Sequence, residues 1–277
     1  MPRMPAAATV HRCQLLGSPW PGLHAASLHS ARHFGRHWHE GFGIGWIAAG
    51  AQRSASGRGP VEAFAGDLIS TNPGEVHDGR PLGGDSRGWH IVYIEPALLA
   101  SLRGERAEAL ALSRPVLQDV ALRAALQQLL RRLQAWNATR DDSTTLALEE
   151  AFTAAGGALL QRHATQRPPH ETSPALAAVR DVLADAPLAT PSLAELAALA
   201  GSSRWQLLRQ FRRSFGLTPH EWLLQRRAER GRSFIAQGLP LADAAAAAGF
   251  ADQSHMTRCF ARLWGYSPGG WQRSCRS

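Results

Sequence analysis

Arg209 and Arg258 are set 49 residues apart and occupy the same place in two similar stretches of this 277-residue chain. The match continues in order: Phe211 with Phe260, Arg213 with Arg262, Phe215 with Trp264, Gly216 with Gly265. It then runs through Thr218 with Ser267, Pro219 with Pro268 and Trp222 with Trp271. Pairs of the same type in the same order mark an internal duplication. A guanidinium offers a planar fork of donors that matches the major-groove edge of guanine and the oxygens of a phosphate. In both copies it lies opposite an apolar stripe: Leu207, Phe211 and Phe215 in the first, Met256, Phe260 and Leu263 in the second. That spacing is one face of an α-helix. The outer face of the first copy carries Trp205, Leu208, Arg209 and Arg212, and that of the second Gln253, Ser254, Thr257, Arg258 and Arg262. Gln253 suits adenine, Trp205 and Leu208 suit a thymine methyl or a sugar, and Ser203 and Thr218 suit phosphate. A solvated helix face is the other reading of any one such arginine; the duplication favours double-stranded DNA.

The elements that must carry these side chains are marked by their ends. Ser192-Leu-Ala-Glu195 and Ser203-Arg-Trp-Gln206 are capping boxes, and Thr218-Pro219-His-Glu221 adds a proline at the first helical position. Each copy therefore reads as short helix, glycine-containing turn, second helix, over 193–215 and 241–263. A helix from Pro219 to about Gln237 joins them, long enough to hold two reading helices in successive major grooves about 34 Å apart. Net charge agrees. The chain carries +8, every basic residue is arginine, and residues 172–277 hold 13 arginines against 7 acids, whereas 1–171 hold 17 against 15. A basic tail on a nearly neutral body points to a polyanionic partner.

The first hundred residues read as β-structure. Segments such as Gly43–Ala49 and Gly88–Ile94 are rich in Ile, Val, Trp and Tyr and are bounded by turn residues. Leucines at helical spacing follow from Pro96, and a further helix is expected from Thr144 to about His163. The expected class is α+β in two domains: a small barrel with trailing helices over 1–163, a polar linker over 164–173, and an all-α unit over 174–277. Three scattered cysteines exclude a disulfide scaffold and a sulfur-rich zinc site. No apolar run is long enough to span a bilayer and no signal peptide is legible, so a cytoplasmic setting is expected.

The tail resembles the AraC/XylS family of bacterial transcription regulators. The carriers are SLAELAALAGSSRWQLLRQFRRSFGLTPHEW over 192–222, GFADQSHMTRCF over 249–260 and GYSPGGW over 265–271. The resemblance implies two helix-turn-helix units in one chain. It places base contacts on Arg204, Trp205, Leu208 and Arg209 and on Gln253, Ser254, Thr257 and Arg258. Ala244 and Ala248 stand where the family commonly has larger aliphatics, which implies a loosely filled second unit.

The N-terminal region resembles the cupin-type sensor domain often joined to such tails, through His37-Trp38-His39-Glu40 and Asn72-Pro-Gly-Glu-Val-His77. In metal cupins an HxH and a later histidine hold a divalent ion, which would make His37, His39 and His77 the ligands, with Glu40 or Glu75 completing the set. Sensor cupins are commonly metal-free, so no cofactor is expected. Those three histidines with Trp46, Trp89 and Tyr93 are then the candidate pocket for a small organic effector. The aromatic residues read equally as ordinary core. The helices after the barrel either dimerise or cover it, and RNA polymerase is a further candidate partner. The expected function is an effector-responsive, sequence-specific transcription regulator and not an enzyme. The runner-up is a cupin metalloenzyme, an oxygenase or isomerase, with an accessory tail.

Overall fold

The computed structural model describes residues 10–102, 110–141, 144–166, 173–185, 188 and 190–275. Nine strands come first: β1 (His11–Leu16), β2 (Leu23–Ser30), β3 (Phe34–His37), β4 (Phe42–Ala49), β5 (Ala51–Ser56), β6 (Gly59–Phe64), β7 (Leu68–Thr71), β8 (His77–Pro81) and β9 (Arg87–Ile94). Then come α1 (Pro96–Ser101), β10 (Leu110–Leu112), β11 (Val116–Leu117), α2 (Val120–Thr139), α3 (Thr145–His163) and β12 (Ala164–Gln166). One antiparallel sheet runs β1-β2-β9-β4-β7-β11 and a second β3-β8-β5-β6. The first three residues of the expected linker are the strand β12, paired with β10, and 167–172 lie outside the described residues.

The period-2 alternation of strands sorts the large sheet into two faces. On β9, Trp89 and Ile91 turn inward with Leu28, Phe34 and Ala63 into a core between the sheets. Val92 and Ile94 turn the other way and join Phe42, Ile44, Trp46 and Leu68 beneath the helices. The leucines read from their helical spacing go to that second core: Leu122, Leu126, Leu129, Leu130 and Leu133 of α2 pack with Leu148, Phe152, Leu159 and Leu160 of α3. These residues cover the sheet.

The tail is helical throughout: α4 (Pro174–Ala184), α5 (Leu193–Leu199), α6 (Arg204–Phe215), α7 (Pro219–Ala236), α8 (Leu241–Ala248), α9 (Gln253–Leu263) and α10 (Pro268–Cys275). All three capping boxes form, each with the cap oxygen and the third-residue side chain bonded reciprocally to backbone N–H groups. Gly216 ends α6 at φ 75°, a left-handed conformation that favours glycine. Leu207 and Phe211 close the first helix-turn-helix core, and Met256, Phe260 and Leu263 close the second. No helix among the described residues is long and apolar enough to cross a membrane.

The second unit is not loosely filled. Ala244 and Ala248 are buried, and Ala248 lies where α8 meets Gly231 of α7. A Cβ on Gly231 would sit 3.1 Å from Met256 Sδ and 3.7 Å from the Ala248 Cβ. Small residues on both helices let the backbones approach, and the space that larger aliphatics would take is absent. Enlarging the site therefore overpacks it. Ala248→Leu is expected to destabilise the protein by about 1–3 kcal/mol in urea unfolding, whereas a loosely filled core would be stabilised by the same change.

Candidate effector cavity and nucleic-acid interface

Between the sheets lies a cavity of about 90 Å³. Its walls bring together five of the six pocket residues expected from the sequence: His37, His39, His77, Trp89 and Tyr93. Trp46 is the exception. It belongs to the helix-covered core on the other face of the large sheet, because on β4 it shares a face with Phe42 and Ile44. The strand alternation that brings Trp89 and Tyr93 into the cavity on β9 takes Trp46 out of it.

One ring nitrogen from each of His37, His39 and His77 lies within 4.8 Å of the others. His37 Nδ1–H donates to the Gly35 carbonyl at 2.8 Å and His77 Nδ1–H to the Glu75 carbonyl at 2.9 Å. Both donations fix the tautomer, so each neutral ring keeps a bare Nε2 lone pair. Burial, reinforced by the neighbouring His77, pushes His37 down to about 3. Burial lowers His39 and His77 as well, so the trio is neutral near pH 7. Three neutral imidazoles, two of them with backbone-held Nδ1–H groups, form a donor set that fits a divalent ion, which these residues would hold. The same lone pairs accept hydrogen bonds from an organic ligand.

The cavity wall also contains residues that the sequence did not assign to it. Arg87, Gln52 and Phe34 come from the barrel, and Leu263, Trp264 and Tyr266 from the tail. Arg87 was findable from its period-2 relation to Trp89 and Tyr93 on β9. The tail residues had no local signal. A second cavity of about 460 Å³ lies between barrel and tail, lined by Trp20, His24, Tyr93, Glu229, Arg232 and Trp271 among others.

Barrel and tail are held together by buried contacts and by bonds nearer the surface. Trp38, between two cavity histidines, is a member of the first helix-turn-helix core with Leu176, Val179, Phe211 and Trp222. Its carbonyl accepts from Gln225 Nε2 at 3.0 Å. Arg36 donates to the Gly216 carbonyl at 3.0 Å, His11 Nε2–H to the Gly265 carbonyl at 2.6 Å, and Arg226 pairs with Glu40 at 2.7 Å.

The outer faces of α6 and α9 are open to solvent. Ser203, Arg204, Trp205, Arg209, Arg212, Gln253, Ser254, Arg258 and Arg262 are exposed, and Leu208 and Thr257 are half-buried. Trp205 is 65% exposed, a large apolar ring left in solvent, and the Arg209 guanidinium lies over it at 4.7 Å. The Ser203 hydroxyl accepts from the Gln206 N–H, and the Thr257 hydroxyl donates to the Gln253 carbonyl.

The buried α7 pair gives a pH signature. Burial pushes Glu229 up to about 7 against the pull of Arg232, 3.6 Å away. Burial acts against the Arg232 charge, and Glu229 more than offsets it, so Arg232 stays charged. The folded chain therefore holds a proton that the unfolded chain releases near the usual 4.5, and stability falls as pH rises from about 4.5 to about 7. This group should contribute a fall of at most about 3 kcal/mol across that window. Glu229→Gln should remove that contribution, as read from the difference between wild-type and variant urea unfolding at several pH values.

Comparison with known proteins follows the same division of the chain. A family model described as an AraC-like ligand binding domain matches residues 23–156, and a helix-turn-helix domain model matches residues 196–274. The uncharacterized HTH-type transcriptional regulator YbfI of Bacillus subtilis is 27% identical over 231 residues, which is 80% of this chain and 81% of that protein. The probable transcriptional regulator LumQ of Photobacterium leiognathi is 35% identical over 82 residues, 29% of this chain and 33% of that one. Among solved structures, apo ToxT from Vibrio cholerae aligns over 96% of this chain and 98% of its own, with a TM-score of 0.52 and 12% identity, a likeness of fold. A ToxT structure described as bound to an unsaturated fatty acid aligns over 95% of this chain and 94% of its own, with a TM-score of 0.50 and 12% identity. The AraC-like ligand-binding model over the β-domain and the helix-turn-helix model over the tail, with an HTH-type transcriptional regulator similar along most of its length, make this chain a member of the AraC/XylS family of transcriptional regulators.

Proposed function

We propose that this regulator reads DNA with the outer faces of α6 and α9, and that a small molecule held between the two sheets sets how those helices are presented. One observation carries the reading: the cavity wall includes residues of the second reading unit and adjoins the Trp38 anchor of the first. His37 and His39 face the cavity while Trp38 between them is packed in the first unit's core. Leu263 and Trp264, at the end of α9, line the same cavity and belong to the second unit's core. A ligand there touches the second unit directly and the first through the histidines that flank Trp38, and so biases their arrangement, which is a coupling between two sites.

On the DNA side, Arg209 and Arg258 are the proposed guanine readers, with Arg204, Arg212 and Arg262 toward phosphate or neighbouring bases. Gln253, Ser254 and Thr257 address bases on the second unit, and Trp205 and Leu208 supply apolar contact on the first. Ser203 lends the helix N-terminus to phosphate. Stacking on Trp205 limits the freedom that Arg209 would otherwise lose on binding. The chain on this reading is not an enzyme and works in the cytoplasm with DNA. A second copy and RNA polymerase are further proposed partners; exposed Val120 and Leu146 on α2 and α3 support the former. The three-histidine cluster is the observation behind the runner-up, a cupin metalloenzyme, which requires stoichiometric metal together with turnover in the purified protein.

Arg209→Ala should cost about 1–3 kcal/mol on the preferred site and relax selectivity at one base pair, measured by competition against sites varied one position at a time. A uniform loss over all sequences would assign Arg209 to phosphate instead. Trp38→Ala should empty part of the first unit's core at a cost of about 3–5 kcal/mol. Amide exchange should then rise in α4 and α7 while β2 and β9 remain protected. Unchanged exchange in those helices would sink the proposed mechanical link.

A further inference from the structure

Arg87 carries a charge that the fold does not answer. It is 2% exposed and among the largest fully buried side chains of the protein. A guanidinium taken out of water is costly unless a carboxylate and a full set of hydrogen bonds receive it. Here Nε donates to Gln52 Oε1 at 3.1 Å and one terminal nitrogen donates to the Arg32 carbonyl at 3.2 Å, both neutral acceptors. The guanidinium lies against the rings of Trp89, at 4.6 Å, and Phe34, at 5.9 Å. Burial alone drives its pKa down, to about 10, with no acidic neighbour opposing it.

Neither acid of the cavity wall pairs with Arg87 among the described residues. Glu75 gives both oxygens to Arg58, each at 2.8 Å, and Asp78 Oδ1 accepts from the Ala55 N–H at 2.8 Å. The three histidines are neutral. The second terminal nitrogen of Arg87 makes no hydrogen bond among the described residues. It lies 3.1 Å from where a Gly79 Cβ would stand, and glycine leaves that side of the cavity clear. One cation with one open edge therefore faces a cavity of about 90 Å³. A single water needs about 10–15 Å³ on that scale, so a small organic molecule fits.

We propose that the ligand of this cavity is a small carboxylate, its oxygens on the open edge of Arg87 and its body against Phe34, Trp89 and Tyr93. The proposal rests on the reading of this cavity as the effector site and names the chemistry it takes. Because Nε is committed to Gln52, the carboxylate meets the guanidinium end-on. A neutral ligand leaves the buried cation unpaired. A phosphate dianion brings two charges to a site with one free cation among the described residues. The bare Nε2 lone pairs of His37 and His77 further favour an acid that carries a hydroxyl or amine donor at its other end.

The test uses the full chain and matched acid–amide pairs that differ only in charge: butyrate with butyramide, 3-hydroxybutyrate with its amide, and 3-phenylpropionate with its amide. Calorimetric titration should show at least one acid binding about ten- to a hundredfold tighter than its amide, the range expected for a hydrogen bond to a charged group. Arg87→Met should abolish that preference. Arg87→Lys, which keeps the charge, should retain it at lower affinity and covers the case in which the apolar variant does not fold. Equal affinity for acid and amide, no binding of any pair, or a preference that survives in folded Arg87→Met would each overturn the proposal. DNA selected by the protein from random sequence separates this from the functional reading. An amide that binds and shifts DNA affinity as strongly as its acid sinks the carboxylate and keeps the effector site. An acid that binds through Arg87 without changing DNA affinity keeps the carboxylate and sinks the effector role.

Discussion

The docking of Trp38 into the core of the first helix-turn-helix unit is the contact on which the rest of the architecture depends. It comes from the barrel, at the end of β3, yet it is buried among Val179, Phe211 and Trp222 of the tail. The residues before and after it are cavity histidines. Three consecutive residues thus serve two compartments, and displacing either neighbour strains an aromatic anchor in a close-packed core. Packed interfaces of this kind switch between discrete arrangements rather than deform smoothly, which lets a small ligand have a large effect. The second unit meets the same cavity directly through Leu263 and Trp264, so both readers are tied to one cavity without sharing a core.

The interior of this protein is unusually polar where barrel and tail meet. Arg87 lies buried in the barrel, Glu229 and Arg232 lie buried in α7, and both Glu229 oxygens lack a hydrogen-bond partner. Arg232 is clasped between Trp264, at 5.1 Å, and Trp271, at 4.6 Å, and the aromatic faces offset part of its desolvation. Stability would be better served by apolar residues at these places. Polar groups left partly satisfied beside cavities are instead what a protein needs if its docked state is to respond to what enters those cavities. Any ligand that completes such bonds binds the docked state preferentially and shifts the population toward it.

The outer helix faces show the opposite economy. Their side chains are exposed and mobile in chemistry rather than in backbone, since capped ends and buried stripes hold α6 and α9 rigidly on the tail. Among the described arginines of these faces, Arg209 alone has its guanidinium over a ring, that of Trp205. The matching Arg258 has no such neighbour on its helix, because Ser254 occupies the position that Trp205 holds in the first copy. The duplication therefore preserved the charge and let the apolar partner diverge, leaving two readers that offer different surfaces to DNA.

Much of this was local and hence legible in the residues themselves. Helix ends depend on side chains three residues apart, so Ser192 with Glu195, Ser203 with Gln206 and Thr218 with Glu221 announced α5, α6 and α7 before any packing was known. The duplicated stripes of Leu207 with Phe211 and of Met256 with Phe260 likewise marked which face must be buried. What remained hidden needed partners far along the chain. Trp46 and Trp89 have similar local surroundings, yet they lie on opposite faces of one sheet, because a strand's register and the layer stacked on each side decide which face is cavity and which is core. Trp38, Leu263 and Trp264 become cavity or docking residues only when two domains meet. The pattern of a single segment specifies what must be buried; which surface buries it is a property of the assembled chain, since burial free energy belongs to both sides of a contact at once.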